Sequence, residues 1–424
     1  LKQECVMTVV LPALESALSV VFKLGAGDAA SRKAAAAILG EGWSEAEPDY
    51  TWTLGTSSAM HLVPPDGPGD YFLQLRVTPL LVGRPNGQRL RVIANGFELA
   101  DLVLERTRTV TLFLPGEVFE RKADLDIELQ HPDAVRVGEI LQVADTRQLA
   151  IGLHLLRLLR VVERAQVPLP AGARLPASER DMLMGFEALG TTPEFGLVQR
   201  RHGADPLGLL RFTDIGLDAL LDMLEGQFAS IADPGALSLG YATMPEGGAT
   251  YQLTHHQYGM VYRTLVPVSG MDPQELLRRE TSRLMLTARK MVQTLNAGTM
   301  EDGDKILVVR TVGPLEDDAL IPLMCALTAY GPNMVLWVTD ADADHPLGSV
   351  EPLMHGLLRG HVRAATAGKE AGADGADDDG WLAVCRAAWM LWRAARGDTW
   401  DVPEKKAMAE PGAPTTFAYI AAAS

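Results

Sequence analysis

The spacing of apolar residues changes as the chain proceeds. Between Pro12 and Leu39, the residues Leu14, Leu18, Val21 and Phe22 fall at helical spacing, which predicts one or two helices broken near Gly25–Gly27. From Trp43 to about Leu159 the period is two. Phe72, Gln74 and Arg76 alternate with Leu73, Leu75 and Val77, and Arg89 and Arg91 alternate with Leu90 and Val92. The same alternation runs through Leu102 and Leu104, through Val110, Leu112 and Leu114, and through Leu125, Ile127 and Leu129. It predicts strands with one wet face. Turn residues separate them: Pro64–Pro65 with Gly67, Gly83 to Gly87, Pro115–Gly116, and Pro132 with Asp133. Asn95–Gly96, set between two apolar runs, predicts a two-residue hairpin. Six or seven such strands predict an antiparallel β-sandwich of jelly-roll type, closed by a long last strand from Leu149 to Leu159.

Val167–Pro168–Leu169–Pro170, Gly172 and Pro176 then read as a linker. Ser178 caps a helical run that reaches Gly190, and Leu217 to Phe228 forms another helix. Asp272–Pro273 supplies an N-cap and a first-turn proline for a long helix from Gln274 to Leu295. Lys305–Arg310 and Met334–Val338 read as buried strands, with a helix from Asp317 to Tyr330 between them and a last helix from Trp381 to Arg393. The expected architecture is multi-domain α+β. It has an N-terminal helical segment (1–41), an antiparallel jelly-roll-like sandwich (42–165), a linker (166–177), a mixed α/β domain (178–400) and a tail (401–424). The acidic tract Ala371 to Gly380 reads as a solvated loop.

Charge and cysteine usage narrow the classes of function. The 424 residues carry 38 basic and 54 acidic side chains, a formal charge of −16. That balance argues against nucleic acid as a partner and against docking on an anionic membrane. No apolar run is long enough for a membrane span. Cys5, Cys325 and Cys385 are odd in number and widely spaced, which excludes a disulfide framework and fits a reducing, cytoplasmic compartment. Dinucleotide, P-loop, zincin and serine-hydrolase motifs are absent from the sequence, so no cofactor is expected.

Two resemblances add to this reading. The segments GWSEAEPDYTWTLG, RLRVIANGFEL, LFLP and HPDAVRVGEI…DTRQLAIGLHLLRL resemble a β-sandwich module of bacterial polysaccharide-biosynthesis proteins, often found beside glycosyltransferase domains. Its distinctive side chains are Trp43, Trp52, Asp145 and Arg147. Either Trp can stack on a sugar face or cap the sandwich core, and Asp145 with Arg147 reads as a local ion pair. The stretch LGTTPEFGLVQRRHGADPLGLLRF resembles the opening of an uncharacterised bacterial family of papain-like cysteine peptidases, whose pattern is approximately LGxxCxFGxxQRxxGxxPLGLLRF. YGMVYRT, KILVVRTVGPL, YGPNMVLWV and HPLGSVE extend the resemblance over Phe186 to Trp392.

The departures from that pattern bear on chemistry. The cysteine position is Pro193, which has no nucleophile, and the histidine position is Arg263, which cannot accept a proton. A third family position, often Lys-Ser, reads Arg310–Thr311. The resemblance therefore implies a degenerate, non-catalytic papain-like domain. Substitute groups for catalysis are Thr191, Thr192 and His255, although the threonines also suit a helix cap and His255–His256 a surface or turn pair. Glu194, Gln199, Arg200 and Arg263, with Trp43 and Trp52, are the candidate ligand-binding residues, and Arg263 points to an anionic ligand. Asp340, Asp342, Asp344 and Glu351 sit at calcium-loop spacing, but His345 occupies the position that needs Gly. His345, His355 and His361 show no zinc spacing. The expected function is a non-catalytic protein that binds a glycan, a nucleotide-sugar or a protein partner in bacterial surface-polysaccharide metabolism. The alternatives are a hydrolase or transferase working through non-Cys groups, and an assembly scaffold.

Overall fold

The computed structural model describes residues 10–25, 29–84, 86–165, 176, 178–233, 235–243, 248–302, 305–313, 315–316, 319–364 and 378–395. Cys5, most of the 166–177 linker, positions 371–377 of the acidic tract and the 401–424 tail lie outside them.

The first unit begins with strand β1 (Val10–Lys23) and helix α1 (Ala29–Ile38). Strands β2 (Trp43–Ala46), β3 (Thr51–Leu54), β4 (Ser57–Leu62), β5 (Tyr71–Pro79), β6 (Gln88–Ala94), β7 (Phe97–Leu104), β8 (Arg108–Leu114), β9 (Leu125–Gln130) and β10 (Val135–Arg136) follow. A short helix, α2 (Val137–Leu141), and the long β11 (Gln148–Ala165) complete it. One sheet runs β2-β3-β11-β5-β8, with β1 and β10 also pairing on β11, and the other runs β4-β9-β6-β7. Their inner faces meet in one core that includes Leu73, Leu75 and Val77 of β5, Leu90 and Val92 of β6, and Leu125, Ile127 and Leu129 of β9. Asn95 and Gly96 both take positive φ, 47° and 87°, as a tight β6–β7 hairpin requires.

The helical expectation for Pro12 to Phe22 is corrected. This segment is β1, antiparallel to β11 from Val10↔Ala165 to Lys23↔Leu155, with a bulge between Glu15 and Ser19. A partner strand of 18 residues supplies a backbone ladder that outweighs local helix spacing. The helical part is confined to α1, whose Ala35 and Ile38 enter the sandwich core. Residues 10–38 thus belong to the sandwich and are not a separate helical segment. The long last strand, β11, is central in its sheet, flanked by β5, β3 and β1.

The second unit contains α3 (Glu179–Met184), β12 (Phe186–Ala188), α4 (Glu194–Arg201), β13 (Thr213–Asp214), α5 (Leu217–Glu225), β14 (Leu237–Thr243), β15 (Ala249–His255) and β16 (Met260–Pro267). It continues with α6 (Pro273–Asn296), β17 (Ile306–Arg310), α7 (Ile321–Thr328), β18 (Val335–Asp340), β19 (Val350–Met354), β20 (Leu357–Val362) and α8 (Asp378–Ala395). The run from Ser178 to Gly190 is therefore helix only to Met184; its second half is a strand that pairs parallel with β17. β12, β17, β18 and β20 form a parallel sheet edged by antiparallel β19. Alternate residues of β17 and β18 serve two cores: Leu307, Val309, Val335 and Trp337 pack with α5, α6 and α7, while Ile306, Val308, Leu336 and Val338 pack with α3 and α8. Burial on both faces explains their continuous apolar runs. A second, antiparallel sheet runs β13-β16-β15-β14.

The polar face of the sandwich is not wet where the two units meet. Arg76 of β5 donates to Asp222 at 2.7 Å and to Glu225 at 2.6 Å on α5. Thr109 of β8 donates to Glu225 at 2.7 Å. Arg157 of β11 donates to Gln74 at 2.8 Å and to the Cys325 carbonyl at 3.3 Å. Arg76 of β5 thus docks on α5, and Gln74 donates to the Pro322 carbonyl of α7 at 3.3 Å.

Candidate functional site

Pro193 sits where β12 turns into α4, beside the C-terminal ends of β17 and β18. The Arg310 guanidinium, 2% exposed, fills the space between Glu194, which it meets at 3.1 Å, and Asp340. The indole of Trp381 donates to the other Glu194 oxygen at 2.9 Å, and the indole of Trp337 donates to Thr311 at 2.8 Å. Thr191 donates to the Arg310 carbonyl and accepts from its N–H at 3.1 Å, so its hydroxyl ties two strand ends together. Thr192 Oγ1 is buried without a hydrogen-bond partner. Neither threonine caps α4, whose N-cap is Pro193. Pro193 therefore borders a buried ion cluster of Arg310, Glu194 and Asp340.

Gln199 is also removed from the ligand set. It is fully buried and donates to the carbonyls of Leu183 at 2.9 Å and Phe186 at 3.1 Å. His255 is not a surface residue. It is buried at the end of β15, 4.7 Å from the Tyr258 ring and 3.2 Å from the Ser230 carbonyl, and burial holds its pKa below the usual histidine value. Trp43 donates to the Ala59 carbonyl at 2.7 Å and packs on the sandwich core. Trp52 is 8% exposed and meets Tyr50 edge-on at 5.1 Å. Trp52 is thus buried, whereas Trp43 is only half-buried. Asp145 and Arg147 pair at 2.6 Å, as expected.

An open, charged cleft lies farther along the same motif. Arg200 and Arg211 line it from α4 and the loop after it, Phe212 from just before β13, Tyr262 and Thr264 from β16, and Arg279, Glu280 and Arg283 from α6. Its volume is about 550 Å³, within the ordinary range for small-ligand sites. Of the expected ligand residues only Arg200 lines it. Arg263 does not; its neighbours Tyr262 and Thr264 do, as alternation along β16 dictates.

Charge in this cleft is packed at a cost. Arg211 is 3% exposed and donates to the Ala204 carbonyl at 2.7 Å and to Asp205. Its Nε is buried and has no partner. Burial, only partly offset by Asp205, pulls its pKa below the usual arginine value. Burial does the same to Arg283, and the nearby Arg211 charge adds to the effect. Each guanidinium lies over an aromatic ring, Arg211 4.6 Å from the Phe212 centroid and Arg283 4.9 Å from that of Tyr262. Glu280 meets Arg283 at 3.1 Å. Four arginines against Asp205 and Glu280 leave the cleft positive in a chain of charge −16. Like charges held together at partial burial favour an anion between them. The sequence signal was the Arg279–Arg283 pair, one helical turn apart on α6, together with Arg211 inside the PLGLLRF motif.

The calcium-loop residues diverge. Asp340 turns to Arg310 and to the Gly313 N–H at 3.3 Å, Asp342 caps its own turn through the N–H groups of Asp344 and His345, and Glu351 binds Arg359 at 2.6 Å. Among the described residues no helix is long and apolar enough to cross a membrane.

No family model and no curated protein matches the chain. Solved structures match only weakly. The CBM36-1 domain of a multidomain xylanase from the hindgut metagenome of Trinervitermes trinervoides is 11% identical over 33% of this chain and 95% of that domain, with a TM-score of 0.18. An uncharacterised protein from Listeria monocytogenes EGD-e is 15% identical over 29% of this chain, with a TM-score of 0.18, and the match spans only 11% of that protein. An acetyl xylan esterase from Butyrivibrio proteoclasticus is 9% identical over 90% of this chain and 99% of that one, with a TM-score of 0.19. Likeness at this level assigns neither fold family nor function.

Proposed function

We propose that this protein binds, and does not turn over, an acidic saccharide or nucleotide-sugar held in the arginine cleft. The observation that carries the proposal is the cleft of about 550 Å³ lined by Arg200, Arg211, Arg279 and Arg283. Guanidinium groups present planar, bidentate donors that match carboxylate and phosphate oxygens. Phe212 and Tyr262 contribute apolar ring surface of the kind that sugar and base rings use. The saccharide part of the proposal is supported by the resemblance of the sandwich to modules of polysaccharide-biosynthesis proteins. The non-catalytic part is supported by the buried ion cluster at Pro193 and by the engaged hydroxyl of Thr191.

Native mass spectrometry against glucuronate, uridine diphosphate glucuronate and neutral glucose tests the reading. Retention of the anionic members at one per chain, with none of glucose, is expected. Equal retention of glucose, or of none of the three, would overturn it.

A further inference from the structure

We propose a divalent transition-metal site, of zinc type, formed by His345, Glu351 and His361. The three come from different elements: His345 from the loop after β18, Glu351 from β19 and His361 from β20. Sequence spacing hid them, because the β19–β20 hairpin, not a local motif, brings them together. Each can bring one ligand atom within 4.8 Å of the others. The two imidazoles lie nearly parallel, with centroids 4.6 Å apart and an interplanar angle of 18°. The backbone N–H of His355, at the hairpin turn, donates to the Pro12 carbonyl at 2.8 Å.

Neighbouring hydrogen bonds fix which nitrogen is available. His345 Nδ1 lies 3.0 and 3.1 Å from the Asp342 carboxylate oxygens, which only accept, so Nδ1 carries the proton. Ser349 spends its single hydroxyl hydrogen on the Pro346 carbonyl at 2.6 Å. It therefore accepts from His361 Nδ1 at 3.1 Å. Both rings keep Nε2 as a lone pair, and His345 Nε2 is 3.7 Å from Glu351 Oε1. A carboxylate or hydroxyl acceptor on the far ring nitrogen is the usual second layer of a histidine metal site. The backbone holds His361 in place, with its N–H on the Ser349 carbonyl at 3.0 Å and its carbonyl on the Gly348 N–H at 2.8 Å. Two histidines and one glutamate are a zinc set that leaves a fourth position for water.

Arg359 is the competitor. Its Nη2 donates to Glu351 Oε1 at 2.6 Å and to His345 Nε2 at 3.4 Å. The guanidinium thus takes acceptors that a cation would use, and metal entry would displace it from His345. Asp342 is the remaining nearby carboxylate and stays with Nδ1 of His345.

The test is calorimetric titration of zinc chloride into the full chain, with a cobalt(II) absorption spectrum recorded in parallel. One zinc per chain at roughly micromolar affinity or tighter is expected, with a cobalt d–d band. His345→Ala and Glu351→Gln, both at half-buried positions, are expected to weaken binding at least tenfold while keeping the metal-free melting temperature. Arg359→Met is expected to tighten it. No zinc binding by the wild-type chain, or unchanged affinity in His345→Ala and Glu351→Gln, would overturn the site.

Discussion

Arg310 shows how one residue decides between a catalytic cleft and a structural core. Its guanidinium is buried between Glu194 and Asp340, so replacing it with an apolar side chain strands two carboxylates. Arg310→Met is expected to lower unfolding free energy by about 3–5 kcal/mol, read from urea denaturation, because removal of one partner leaves buried charge uncompensated. A second prediction concerns His131, which is fully buried and meets Ser58 at 3.0 Å through Nε2. Burial depresses its pKa to about 4. The folded chain therefore resists the proton that the unfolded chain takes up near the ordinary histidine value. This stability is fully present above about pH 6.5 and is lost as pH falls toward about 4, by about 3 kcal/mol. Urea midpoints measured across that window should fall in the wild type and fall less in His131→Gln. At this scale the sequence showed which residues depart from the resembled family, but not where they point. Arg263 and Arg200 were equally plausible as text, and strand alternation places only the neighbours of Arg263 in the cleft.

Helix α6 illustrates an element written plainly in the chain. Asp272 accepts from the N–H groups of Gln274 and Glu275 at 3.0 and 3.1 Å, and Pro273 occupies the first turn. Asp272→Ala is expected to cost about 1 kcal/mol in urea denaturation. Because α6 carries Arg279 and Arg283, fraying of its first turn should also weaken anion binding in the cleft. The hairpin at Asn95–Gly96 and the alternating strands of the sandwich were legible for the same reason: their signals are local. β1 was not legible, because Leu14, Leu18, Val21 and Phe22 satisfy helical spacing and the partner that makes the segment a strand lies more than a hundred residues away. β12 was missed likewise; its three residues are too few to show a period, and β17 defines it. The His345–Glu351–His361 cluster belongs to this class, since it exists only once β19 folds back on β20.

At the scale of the whole molecule, side chains on the polar face of the sandwich bond across to the second unit. Glu225 receives both Arg76 and Thr109 from the sandwich, and its side chain is 3% exposed. Glu225→Ala is expected to cost about 2–3 kcal/mol and to broaden the thermal transition as the two units begin to melt separately, which scanning calorimetry reads. The overall charge of −16 pushes anions away, so a positive cleft in this chain stands out against its own background. That contrast makes salt a useful probe, because attraction confined to the cleft is screened as ionic strength rises. Arg200 and Arg279 are exposed on the cleft wall, so replacing them leaves the core intact. The most direct test is isothermal titration of uridine diphosphate glucuronate into the wild-type chain and the Arg200→Gln/Arg279→Gln double variant, at low and high salt. Saturable one-to-one binding that weakens with salt and falls at least tenfold in the double variant is predicted. Absence of binding in the wild type, or the same affinity in both proteins, would contradict the arginine cleft as the functional site.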